Sequence, residues 1–132
     1  RHRRIFEAIK SRADVKIFFH TCGDVFQFIP DLIESGVDIL NPIQVSTAGM
    51  KDTRRLKKEF GNDIVFWGAG VYPQWTLPFG TVEEVRSEVR RHIEDLAPGG
   101  GYIFASVHNI QNFVPPANIL AMFDTAYELG HY

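Results

Sequence analysis

Val15-Lys16-Ile17-Phe18-Phe19-His20-Thr21-Cys22-Gly23-Asp24 is the stretch on which the fold turns. Its first half is a nearly unbroken apolar run with a β-branched start, the pattern of a parallel strand covered on both faces. A histidine, a cysteine and a glycine then stop the run. Asp24 is an N-cap candidate for a helix over residues 25–35, with Gly36 just past its end. Pro30 inside that helix predicts a kink or a late start. Upstream, Ile5, Phe6 and Ile9 read as the last turns of a helix ending near Ala13 and Asp14.

Downstream the same alternation repeats. Residues 37–40 read as a short strand, 52–60 as a helix stopped by Gly61, and 64–67 as a strand running into Gly68-Ala69-Gly70. Thr81 and Glu84 form a capping box, and Val82, Val85, Val89, Ile93 and Leu96 follow at spacings of three or four, which predicts a long amphipathic helix. Pro98 and three glycines end it. Residues 102–107 read as the last strand, and Pro115 and Pro116 open a final helix through Ile119, Phe123 and Tyr127, closed by Gly130. Strands beginning near 15, 37, 64 and 101 are spaced as parallel strands with helical crossovers require. The reading is α/β: one helix followed by four βα units, over a single partial domain, residues 1–132. An open nucleotide-binding sheet predicts a glycine-rich turn that is missing, because Gly68 and Gly70 are followed by Pro73 where a third glycine belongs. Four units are half of a (βα)8 TIM barrel, which takes about 250 residues.

Composition agrees with a globular chain. Of 132 residues, 45% are apolar and 23% charged, and 14 basic against 16 acidic side chains leave a net charge of −2. That balance offers no broad basic face for a phosphate backbone, so no nucleic acid is expected as a partner. No apolar run approaches the ~18–20 residues of a membrane span. The single cysteine makes no internal disulfide and favours a reducing compartment, the cytoplasm.

In parallel βα folds ligands bind at the carboxyl ends of the strands. Those ends carry His20-Thr21-Cys22-Gly23-Asp24, Asn41-Pro42-Ile43-Gln44, Gly68-Ala69-Gly70-Val71-Tyr72-Pro73-Gln74 and Ser106-Val107-His108-Asn109-Ile110-Gln111. His20 and Cys22 point to the same side if the strand continues, and an imidazole with a thiolate is a reasonable first pair of zinc ligands. His108 is the candidate third ligand, with Asp24 as a second. The plainer reading makes Cys22 a small apolar residue beside a hydrogen-bonded histidine. Asn41, Gln44, Tyr72 and Gln74 are candidates to line the mouth and orient a small-molecule substrate. Phe18, Phe19, Phe26, Phe28, Phe66 and Trp67 read as core, Trp75 and Phe79 as pocket candidates, and His2, His92 and His131 as solvated.

The stretches His20-Thr21-Cys22-Gly23, 29–44, Leu77-Pro78-Phe79-Gly80-Thr81, Ala97-Pro98-Gly99-Gly100-Gly101-Tyr102 and Val107-His108-Asn109-Ile110-Gln111 with Pro115-Pro116, in this order, resemble the uroporphyrinogen decarboxylase superfamily. The resemblance covers the C-terminal half of that family's barrel. It implies a (βα)8 fold, commonly dimeric, with the site at the strand C-terminal ends. It also implies one of two chemistries. Decarboxylases of this kind strip carboxylates from a tetrapyrrole without metal or organic cofactor, and His108 falls where a substrate-binding histidine is found. Their aspartate in the motif after the third of these strands is replaced here by Tyr72. Cobalamin-dependent methyltransferases bind zinc through His-x-Cys and a later cysteine. His20 and Cys22 match the first two ligands, with His108 at the place of the third.

Zinc on His20, Cys22 and His108 would activate a substrate thiol or oxygen against a methyl group carried on a corrinoid protein. Methyl transfer is therefore the leading expectation and decarboxylation the alternative. A third possibility is a half-barrel inactive until it pairs with a second copy or with the missing N-terminal half.

Overall fold

A computed structural model describes residues 1–131. A first helix, α1 (His2–Lys10), leads into β1 (Phe18–His20). A 3-10 turn (Phe26–Phe28) and α2 (Ile29–Glu34) follow, then β2 (Ile39–Asn41) and α3 (Thr53–Phe60). The second half runs β3 (Val65–Ala69), α4 (Thr76–Phe79), α5 (Val82–Leu96), β4 (Tyr102–Ala105) and α6 (Pro116–Leu129). The four strands form one parallel sheet in the order β1-β2-β3-β4. A doubly wound sheet reverses its strand order at a switch point; this one never does, which is the winding of a barrel. The molecule is half of a (βα)8 barrel.

Register explains which side of the sheet is core. Phe19 pairs with Leu40, Leu40 with Phe66 and Phe66 with Tyr102, one row across all four strands. This row faces the helices: Leu40 and Phe66 are fully buried, together with Val85, Val89 and Leu96 of α5 and Met122 of α6. Each such aliphatic side chain contributes about 1.5–3 kcal/mol on burial. The alternate positions form the opposite face. There Phe18 is 47% and Ile103 38% exposed, and Phe18 meets Trp67 edge to face with ring centroids 5.1 Å apart.

The expectation of a first strand covered on both faces is thus corrected: within this chain β1 is three residues long and open on its inner side. Phe18 is not core, and neither is Phe28, which is 59% exposed. Pro30 marks a late helix start instead of a kink, occupying the first turn of α2, where its missing N–H costs nothing.

Local chemistry starts α3 and α5 where read, while α1 ends at Lys10, short of Ala13, and the last strand ends at Ala105, short of residue 107. Asp52 caps α3 by accepting from the Arg55 N–H at 2.9 Å. The capping box of α5 is complete, with Glu84 N–H donating to Thr81 Oγ1 and Thr81 N–H to Glu84 Oε2. In α6 the buried face is Asn118, Ala121, Met122 and Thr125, whereas Phe123 and Tyr127 of the expected stripe lie 46% and 77% exposed.

Candidate functional site

His20 ends β1 and pairs in register with Asn41 at the end of β2, so their side chains share the inner face. Asn41 donates through Nδ2 to the Trp67 carbonyl at 3.1 Å, which turns its own carbonyl toward His20. His20 Nδ1 lies 2.6 Å from Asn41 Oδ1 and is the donor in that bond. The tautomer leaves a lone pair on Nε2, and Cys22 Sγ sits 3.5 Å from it. Asn41 is therefore the group that orients His20 toward the exposed Cys22 thiol. Gln44 holds the turn beyond: its Oε1 accepts from Gly23 N–H at 2.6 Å, and its Nε2 donates to Ser46.

A second polar group stands at the ends of β3 and β4. Gln74 Nε2 donates to His108 Nε2 at 3.2 Å, and His108 Nδ1 is 3.3 Å from the Asn109 carbonyl. The backbone that delivers Gln74 is bent hard. Gly68 has φ +131 and Ala69, a residue with a Cβ, has φ +53. A Cβ on Gly68 would stand 2.8 Å from the Ile43 amide nitrogen, and one on Gly70 would stand 2.6 Å from the Ala105 carbonyl oxygen. The end of β3 is thus wedged between its neighbours, which explains why glycines flank Ala69.

Tyr72 is half-buried, and its N–H donates to Glu88 Oε1 on α5 at 3.0 Å. Four residues along that helix, His92 is completely buried, contrary to the expectation that it is solvated. Arg91 Nη2 lies 3.1 Å from His92 Nε2, so that nitrogen accepts and Nδ1 donates to the Gly70 carbonyl at 3.3 Å. Burial holds the His92 imidazole below the ordinary histidine range, Arg91 adds to that, and Glu88 and the backbone carbonyls oppose it. Glu88 and His92 were not anticipated from sequence. The available signal was His92's place three residues after Val89, on the stripe that faces the core.

The rim residues thus fall into two groups: His20, Cys22 and Asn41 in one, Gln74 and His108 in the other. Among the described residues no three His, Cys, Asp or Glu side chains gather closely enough to hold a metal ion. The expected convergence of His20, Cys22 and His108 is not formed among the described residues, and Asp24 joins no such group; its carboxylate accepts from the Gly49 N–H at 2.6 Å. Of the three residues expected to converge, His20 and Cys22 alone lie side by side. Trp75 and Phe79 are about two-thirds exposed, and Phe79 stacks on Phe113 beside a cleft of about 530 Å³ whose polar wall includes Glu84, Glu88 and Arg91. No described helix is long and apolar enough to cross a membrane.

A strand-end site on a parallel βα half-barrel defines the class, and comparison with known proteins defines the family. The chain matches the family model for uroporphyrinogen decarboxylase (URO-D) over residues 1–129, and it belongs to that family. A Ralstonia pickettii (strain 12J) protein named uroporphyrinogen decarboxylase is 26% identical over 136 residues, covering 96% of this chain and 34% of the relative. A protein of the same name from Neisseria meningitidis serogroup B (strain MC58) is 37% identical over 52 residues, 39% of this chain and 15% of the relative. Another from Alkalilimnicola ehrlichii is 35% identical over 52 residues, 39% of this chain and 14% of the relative. The chain spans about a third or less of the length of the curated relatives it matches.

Proposed function

We propose that this chain is the C-terminal half of a barrel decarboxylase that removes carboxyl groups, as CO2, from a carboxylated tetrapyrrole. The observation that carries this reading is the Gln74–His108 pair at the strand ends, in a chain whose relatives bear that name. Gln74 offers two amide N–H donors, of which His108 takes one, and the other suits a carboxylate oxygen. In the reaction the bond between the carboxyl and methylene carbons breaks. A proton first added to a pyrrole carbon makes the ring an electron sink, and the electron pair of the broken bond passes into it as CO2 leaves. The methylene carbon then takes a proton and the ring gives up the one it gained, so the net proton comes from water. The rim's part is to hold and orient the carboxylates, a positioning role.

The test is chromatographic: a full-length protein containing this chain is incubated with uroporphyrinogen, and products with fewer carboxyl groups are counted. Turnover is expected, with kcat/KM lowered about tenfold or more in Gln74→Ala and His108→Leu, the scale of one lost hydrogen bond to a charged group. An unchanged substrate overturns the reading.

A second reading, methyl transfer between a corrinoid protein and a zinc-held acceptor, is favoured by one arrangement. Asn41 fixes His20 so that its lone pair and the Cys22 sulfur lie side by side, as two metal ligands would when a hydrogen bond to the far ring nitrogen sets the imidazole's direction. His20 and Cys22 would hold the ion. Stoichiometric zinc in the full-length protein, lost in Cys22→Ser, supports this reading against decarboxylation. In either case the isolated half-barrel is inactive until its open face is covered, by a second copy or by four further βα units. An exposed thiol of this kind suits the reducing cytoplasm.

A further inference from the structure

The backbone between β3 and α4 carries Tyr72 and Gln74, and its course is unusual: a left-handed Gly68-Ala69 corner followed by Gly70 pressed against the Ala105 carbonyl. Strain of this sort persists only where surrounding groups over-determine the conformation. Two of those groups come from one face of α5. Glu88 Oε1 accepts the Tyr72 N–H at 3.0 Å, and His92 Nδ1 donates to the Gly70 carbonyl at 3.3 Å. The two bonds grip the backbone on either side of Val71, which is itself 1% exposed. Glu88 is held in turn by Arg91, whose Nη2 lies 3.8 Å from Oε1 and 3.1 Å from His92 Nε2. Neither Glu88 nor His92 lies in the His20–Cys22–Asn41 group or the Gln74–His108 pair.

We propose that Glu88 and His92 are positioning residues: a carboxylate and an imidazole at i and i+4 on α5 that clamp the Gly70–Tyr72 backbone and thereby aim Gln74 at His108. The clamp reads the backbone from both sides, accepting from one peptide unit and donating to another. A rotation of the segment breaks both bonds together. The consequence for substrate is orientation. With the clamp intact, Gln74 keeps its amide on His108 Nε2; with it broken, the two side chains lose their common aim although each remains present. This inference rests on the proposed role of Gln74 and His108 in holding substrate carboxylates, but the geometry it asserts does not depend on which reaction follows.

The experiment uses the full-length protein with its histidine rings carbon-labelled, the His108 resonance being assigned by its disappearance in His108→Gln. The resonance is expected to move in Glu88→Ala and to return to its wild-type position in Glu88→Gln, which keeps an acceptor for the Tyr72 N–H. His92→Leu is expected to move it, and His92→Asn, which keeps an N–H donor near the place of Nδ1, to restore it. A thermal melt of each variant identifies those that remain folded. Glu88, whose side chain keeps 12% exposure where His92 keeps none, supplies the decisive pair if His92→Leu does not fold, with the isosteric Glu88→Gln as the folded reference. With uroporphyrinogen as substrate, Glu88→Ala is expected to raise KM at least threefold while kcat changes less. A folded Glu88→Ala with an unmoved His108 resonance overturns the clamp, as does a Glu88→Gln that moves it equally. Absence of turnover with the resonance shifted as expected overturns the decarboxylase reading and leaves the clamp standing.

Discussion

At the scale of single residues, the corner at the end of β3 has little tolerance. Gly70→Ala puts a methyl group 2.6 Å from the Ala105 carbonyl oxygen and 3.3 Å from the Ser106 Cα, both backbone. Neither atom moves without shifting β4. The expected loss is about 1–3 kcal/mol, the usual cost of overpacking, read as a lower denaturant midpoint at unchanged slope. From the sequence, Gly68-Ala69-Gly70 was legible as the end of a strand but not as a wedge, because the neighbours that crowd it are distant in the chain. The same reason hid His92. A histidine on a helix beside two arginines reads as solvated until the Gly70 carbonyl is brought to its ring. Asn41 was picked out as a mouth residue, and the structure shows it turning His20 toward Cys22.

At the scale of elements, the junction of α1, β1 and β2 hangs on Asp38. Its Oδ2 accepts from the Ile17 N–H at 2.6 Å and meets Lys10 Nζ at 2.7 Å. Partial burial would raise its carboxyl, yet the Ile17 N–H and Lys10 outweigh that and hold it below the ordinary aspartate range. A depressed folded-state value means the ionised form stabilises the fold above the ordinary range, and that stability fades as the pH falls through the folded value. Asp38→Asn is expected to cost about 1 kcal/mol at neutral pH and to flatten the acid limb of a stability profile between pH 5 and 2. An unaltered limb would assign that dependence to other carboxylates. The capping box on α5 and the aspartate cap on α3 were legible because caps are local. The four-residue α4 and the buried face of α6 were not: Asn118 goes inward because its Nδ2 reaches the Leu77 and Gly80 carbonyls, partners that no periodicity reveals.

At the scale of the whole molecule, the inner face of the sheet and both flanks are apolar and open. Phe18 and Ile103 line the inside, Ile5 and Ile9 stand out from α1, and Leu120, Phe123 and Tyr127 from α6. Surfaces of this kind mark association sites. The 132-residue chain is therefore expected to sediment at micromolar concentration as a dimer or larger species, or to bind a polypeptide carrying four further βα units. A stable 15.0 kDa monomer would count against that pairing.

The alternation of apolar runs and capped helices was enough to determine a parallel βα half-barrel and the rim on which polar groups collect, since strand period, helix period and end signals act over a few neighbouring residues. Which rim residues meet was decided only by the tertiary structure. His20 finds Cys22 through Asn41, and His108 finds Gln74 through a strained corner braced from α5; both depend on strand register and on contacts between residues far apart in the chain.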